Sequence, residues 1–106
     1  MRGNIAQMMQ QAQRMQDNLK RVQEELAVLE VTGSAGGNLV SITITGKMEV
    51  RRVKIEPSAL ADAEMLEDLV TAAMNDAVNK ANEESQRRMS AATAGMPLPP
   101  GMKLPF

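Results

Sequence analysis

The sequence predicts an α+β domain in the order long helix, three-stranded antiparallel sheet, long helix (αβββα). Strand character is confined to the middle of the chain, between Val28 and Ile55. On both sides of it the apolar residues recur at helical spacing, from Ile5 to Leu29 and again from Met65 to Val78. Glycine-containing breaks at Gly33–Gly37 and Gly46-Lys47 divide the middle into strand-sized pieces.

Asn4 is placed to cap the first helix, with Gln7 three residues on as the reciprocal member of a capping box. Beyond it the apolar positions keep a seven-residue repeat. Ile5, Ala12, Leu19 and Leu26 fall at one heptad position and Met8, Met15, Val22 and Leu29 at the other, the seam of a coiled coil. Glutamines such as Gln7, Gln10, Gln11, Gln13, Gln16 and Gln23 lie between them and solvate the helix with little charge.

Val28 to Ser34 predicts a first strand ended by the Gly33-Ser-Ala-Gly-Gly37 loop. The second strand, within Asn38–Thr45, alternates Val40, Ile42 and Ile44 with Ser41, Thr43 and Thr45, giving one dry and one wet face. Gly46-Lys47 reads as a turn and Met48–Ile55 as the return strand. Met48 and Val50 share one parity there, and Val53 and Ile55 the other. If all four face the core, a bulge must sit at Arg51-Arg52, because one extra residue reverses the side-chain phase.

Pro57 and Ser58 break the strand, and Asp62 suits the cap of the second helix. Acids crowd the start of that helix and Arg87 and Arg88 its end, which suits the helix dipole. Its apolar residues stop near Ala81, so the polar second half must project from the sheet. Gly95 and Pro97 mark its end. The expected division is one domain over residues 1–94 and a Pro-rich tail over residues 95–106. That tail either offers Pro97-Leu-Pro-Pro100 to a protein partner with an aromatic groove or packs on its own domain.

A helix of roughly 25 residues runs about 38 Å, whereas a seven-residue strand spans only about 23 Å. Both helices therefore overhang the sheet. Met15, Leu19 and Val22 on the overhang must meet the other helix or a second copy, which predicts a homodimer. A monomer whose helices pair as an antiparallel hairpin is the alternative. With Val40, Ile42 and Ile44 of the dry sheet face, these seam residues make up the expected core and dimer set.

Composition removes several function classes. The 106 residues include neither Cys nor His, so thiolate, imidazole and disulfide chemistry are absent, and the net charge is −1. Ten Met and a single Phe leave no aromatic platforms for stacking single-stranded nucleic acid. Glu64, Glu67 and Asp68 read as a solvated helix start rather than a catalytic set, so no enzyme, cofactor or metal is expected. No apolar run is long enough to span a bilayer and no signal peptide is evident, which predicts an intracellular protein without membrane contact.

The cations decide between DNA and protein as partner. Asp17–Arg21, Lys20–Glu24, Asp76–Lys80, Glu83–Arg87 and Glu84–Arg88 are each four apart and can pair on the helix surface. Such pairs are weak, and a phosphate can displace the acid. Read from the residues alone, the chain favours a helical interaction protein, an adaptor, over a DNA binder.

The whole chain nevertheless resembles the YbaB/EbfC family of small bacterial nucleoid-associated proteins. The resemblance lies in Met8-Met-Gln-Gln-Ala-Gln-Arg-Met15, Leu29-Glu-Val-Thr-Gly33, Val53-Lys-Ile-Glu-Pro57 and Met65-Leu-Glu-Asp-Leu69 with Ala77–Ala81. It continues through Gly95-Met-Pro-Leu-Pro-Pro-Gly101 to Pro105-Phe106. It implies a tweezer-like homodimer in the cytoplasm, on the nucleoid, that binds double-stranded DNA with little sequence preference and alters its conformation. On that reading phosphate contacts come from Arg14, Lys20, Arg21, Lys80, Arg87 and Arg88. Amides on Gln13, Asn79, Asn82 and Gln86 add hydrogen bonds.

Overall fold

A computed structural model describes residues 2–93, with side chains from Asn4 onward; residues 94–106, and with them the tail and Gly95, lie outside the described residues. The elements are α1 (Arg2–Val28), β1 (Glu30–Ala35), β2 (Val40–Thr45), β3 (Val50–Ile55), a short 3-10 turn (Pro57–Ala61) and α2 (Ala63–Thr93). The strands pair antiparallel in the order β1-β2-β3. This is the αβββα fold that the sequence predicts. The molecule is elongated, 71 × 24 × 16 Å, because α1 and α2 both run past the sheet.

The hairpin carries the expected bulge. Thr43 faces Arg52 and Ile44 faces Val50, so Arg51 is the extra residue. Val50, Val53 and Ile55 consequently stand opposite Ile44, Ile42 and Val40, on the face that packs against α2. Met48 does not belong to the strand. It takes the left-handed conformation at φ 67° in a turn where its N–H donates to the Thr45 carbonyl at 2.9 Å. The Thr45 hydroxyl accepts from the N–H groups of Lys47 and Glu49 at 3.2 Å each, which satisfies a polar side chain that is almost wholly buried.

Two other boundaries differ from expectation. Gly33, Ser34 and Ala35 belong to β1, and the turn is made by residues 36–39, where Gly36, Gly37 and Asn38 all have positive φ. Such a run needs residues without a steric penalty in the left-handed region, and two glycines and an asparagine supply it. At the other end, α1 extends back to Arg2, so Asn4 lies inside the first turn and is not a cap. Asp62 does cap α2, its carboxylate accepting from the Met65 N–H at 3.1 Å.

Two clusters hold the fold. In the first, Val40, Ile42 and Ile44 pack on Ala73, Ala77 and Ala81, all six buried. Burying each of the three β2 side chains contributes roughly 1.5–3 kcal/mol. The alanines, four apart, form a smooth stripe that brings α2 close to the sheet. At the crossing β1 carries Gly33, where an added Cβ would collide with the backbone of Ala73 and Ala77. In the second cluster Val22 and Leu26 of α1 meet Met89 and Ala92 of α2, flanked by Leu19 and Leu29. The projecting half of α2 is thus paired with α1 in an antiparallel arm.

Helix α2 covers β1 and β2 but leaves β3 open, so of the apolar residues in the return strand only Ile55 packs against the core. Val50 and Val53 are about half exposed, at 52% and 49%, although they point to the helix side of the sheet.

Candidate nucleic-acid interface

The sheet and the arm place the six candidate cations in three settings. Arg14, Lys20 and Arg21 are exposed on α1. Arg14 and Lys20 make no ion pair with any described residue, and Arg21 pairs loosely with Glu25 at 3.9 Å. Arg87 and Arg88 lie on the paired half of α2 and share Glu84, at 2.7 and 3.1 Å. Arg88 also reaches Glu25 across the arm at 3.3 Å, so it ties α1 to α2 where the buried cluster ends.

Lys80 sits at the root of the arm. Its ammonium donates to the Thr32 carbonyl of β1 at 3.1 Å and contacts the Asp76 carboxylate at 3.1 Å. Asp76 in turn accepts from the Ser34 N–H at 3.0 Å. That hydrogen bond is the main reason the Asp76 carboxyl is held below its ordinary range, followed by the Lys80 ammonium, with slight burial opposing both. This small network fastens α2 to the edge of β1. The sequence shows the i,i+4 pair but not its partners in β1, which are more than forty residues away in the chain.

Of the four-apart pairs, Asp76–Lys80 and Glu84–Arg88 form, whereas Asp17 accepts instead from the Gln13 amide at 3.3 Å and Arg87 turns to Glu84. Three of the four hairpin cations are also matched, Arg51 by Glu49, Arg52 by Glu30 and Lys54 by Glu56, at 3.5 to 3.9 Å. All of these are exposed or half-exposed pairs of little worth. A shallow groove of about 410 Å³ between the root of the arm and β1 carries Lys80 and Arg87 together with Glu30, Glu83 and Glu84, so its acids outnumber its cations.

The expected core and dimer residues divide by depth. Val40, Ile42, Ile44 and Val22 are buried within the one chain, while Leu19 and Met15 are only partly covered. Sequence reading missed Asn18, whose amide donates to the Ala92 carbonyl at 3.3 Å and marks where α2 meets α1. Among the described residues no group of three or more acidic side chains gathers to hold a metal ion, and no helix is long and apolar enough to cross a membrane.

The geometry is therefore a sheet carrying a two-helix arm whose α1 edge presents Arg14 and Lys20 without an ion-pair partner among the described residues, beside the loosely paired Arg21. Comparison with known families decides its kinship: the pattern of the YbaB/EbfC DNA-binding family matches residues 1–96. This chain belongs to the YbaB/EbfC DNA-binding family. Relatives called nucleoid-associated proteins, from Xanthomonas campestris and Xylella fastidiosa, are 70% and 66% identical over 106 residues, covering all of both chains. Among solved structures, an uncharacterized protein of Helicobacter pylori shares this fold, with a TM-score of 0.68 at 23% identity. That likeness covers 77% of this chain and 88% of the other.

Proposed function

We propose that this protein is a non-catalytic, nucleoid-associated DNA-binding protein of the bacterial cytoplasm. It grips duplex DNA with little sequence preference, alters its conformation, and in doing so organises the nucleoid and affects gene expression. Membership of a DNA-binding family over residues 1–96 carries the reading. The structure supports it with an arm that presents Arg14, Lys20 and Arg21 without a strong acid partner. Contacts of this kind reach phosphates and read no bases.

The acting unit in this reading is a homodimer. The support is the open face of β3, an edge strand on which Val50 and Val53 lie about half bare. A second copy related by a two-fold axis would cover them with the same face of its own sheet. Val53→Asp is accordingly expected to halve the mass seen by light scattering while the circular dichroism of the chain persists. A mass equal to that of the parent would move the dimer contact elsewhere.

The test of DNA binding is fluorescence anisotropy with a short duplex over a series of salt concentrations. If the three α1 cations of both copies engage, log K falls against log salt with a slope of about −5, since each neutralised phosphate contributes about −0.9. Two duplexes of unrelated sequence should give affinities within about tenfold of each other. Absence of binding at low salt would overturn the proposal.

A further inference from the structure

The sheet has a second face, turned away from α2. Helix α2 occupies the side of Val40, Ile42 and Ile44. On the opposite side the strand register sets polar side chains abreast in two rows. Thr32, Thr43 and Arg52 form the first row, and Ser34, Ser41 and Lys54 the second. Each row runs from two hydroxyls to a cation, and the rows lie two residues apart, about 7 Å. Thr32, Arg52 and Lys54 are exposed, and Ser34 and Ser41 are half-buried. Thr43 is buried, and its hydroxyl, 2.9 Å from that of Thr32, orients it.

The three strands contain three cations, Arg51, Arg52 and Lys54, and a single acid, Glu30. Lys47, in the turn before β3, adds a cation with no ion-pair partner among the described residues, while Glu49 and Glu56 flank β3. The acids are held loosely. Arg51–Glu49, Arg52–Glu30 and Lys54–Glu56 stand 3.5, 3.9 and 3.9 Å apart, longer than the roughly 2.7–2.9 Å of a charge-assisted hydrogen bond. Arg87, by contrast, holds Glu84 at 2.7 Å. A phosphate oxygen displaces such exposed partners at little cost. Hydroxyls beside cations are the donors that meet the phosphates and sugars of a duplex. The strands carry no aromatic side chain, so the face offers nothing for unpaired bases to stack on.

We infer, on the DNA-binding reading proposed above, that this outer face is a second phosphate-binding surface, which takes up a second duplex while the arm holds the first. The protein then bridges two duplexes. The two surfaces are well separated: Arg14 lies about 24 Å before the start of β1 along α1, and α1 is carried by α2, which packs on the other side of the sheet. The sheet is the weaker grip. Three of its four cations have an acid to displace, whereas Arg14 and Lys20 have none among the described residues.

The test uses two identical short duplexes, one fixed to beads and one fluorescent in solution. The full chain is loaded on the beads, the excess is washed away, and the fluorescent duplex is offered at low salt. The parent is expected to retain it. Arg52→Thr with Lys54→Thr, which keeps residues suited to an exposed strand, is expected to retain at least about tenfold less. Its affinity for one duplex, by anisotropy, should stay within about threefold of the parent, because the α1 cations are intact. Equal retention by parent and variant would place the second duplex on another surface and overturn the inference. A parent that binds the first duplex but never retains the second overturns it too, and leaves the DNA-binding reading standing. A folded variant that loses both duplexes alike would make the sheet part of a single grip, which also overturns bridging. Failure of the parent to bind even the first duplex would remove the DNA-binding reading and this inference together.

Discussion

Gly33→Val is expected to lower stability by about 3 kcal/mol or more, which for a domain of this size amounts to unfolding a large fraction of the molecules. The cause is positional. A Cβ at Gly33 would lie against the backbone N–H of Ala77 and the carbonyl of Ala73, and backbone cannot rotate aside as a side chain does. Relief requires lifting α2 off the sheet, which reopens the cluster of Val40, Ile42, Ile44, Ala73, Ala77 and Ala81. Urea unfolding followed by circular dichroism measures the effect. Gly37→Ala is the control: it also forces an unfavourable backbone conformation, at φ 66°, but its added Cβ meets nothing within 4 Å. A cost of about 1 kcal/mol is expected there. Equal midpoints for Gly33→Val and the parent would mean that the close crossing of β1 and α2 is not what holds the helix.

Reversing the α1 cations, Arg14→Glu with Lys20→Glu and Arg21→Glu, is expected to weaken duplex binding by at least about 100-fold at 0.1 M salt and to flatten the salt slope by several units. All three are exposed and none takes part in either buried cluster, so the thermal midpoint should stay near that of the parent. Arg87→Glu with Arg88→Glu is expected to behave differently. Both guanidiniums are already compensated by Glu84, so fewer phosphates are lost, but Arg88 also bridges to Glu25 and its reversal loosens the arm. A variant that melts earlier yet keeps most of its affinity is the expected signature. The reverse ranking, with α2 dominant and α1 silent, would relocate the DNA to the other edge of the arm.

Much of the architecture was legible because it is written in local periodicity. The heptads of α1 and the phase slip at Arg51-Arg52 are patterns within a few residues, and each appears in the structure; the alternation in Val40–Thr45 locates the strand, but its expected wet face is not wet, since Thr43 and Thr45 are buried with Val40, Ile42 and Ile44. What stayed hidden depends on residues distant in sequence. Nothing near Val50 or Val53 tells that α2 crosses the sheet over β1 and β2 and leaves β3 bare. Nothing near Lys80 announces the Thr32 carbonyl it meets. The glycine at position 33 read as the start of a flexible loop, whereas its lack of a side chain serves the approach of a helix forty-odd residues later. The candidate cations were visible by type, but their partners were not, because Glu83 and Glu84 stand within reach of Arg87 on the same helix, as Asp17 and Glu25 do of Arg21, and spacing alone does not choose between them.

One uninterrupted helix, α2, belongs to both clusters: its Ala73, Ala77 and Ala81 rest on the sheet, and its Met89 and Ala92 carry α1. It has no hinge residue, neither Gly nor Pro, between Ala63 and Thr93. It therefore acts as a stiff lever whose fulcrum is the close crossing at Gly33. A small rocking of α2 on the alanine stripe is transmitted, enlarged by the length of the arm, to the far end of α1. In the homodimer proposed above, the span between two such arms would be set at the sheet, by how firmly the Asp76, Lys80 and Ser34 contacts hold the short end of the lever, and not by bending at the tips.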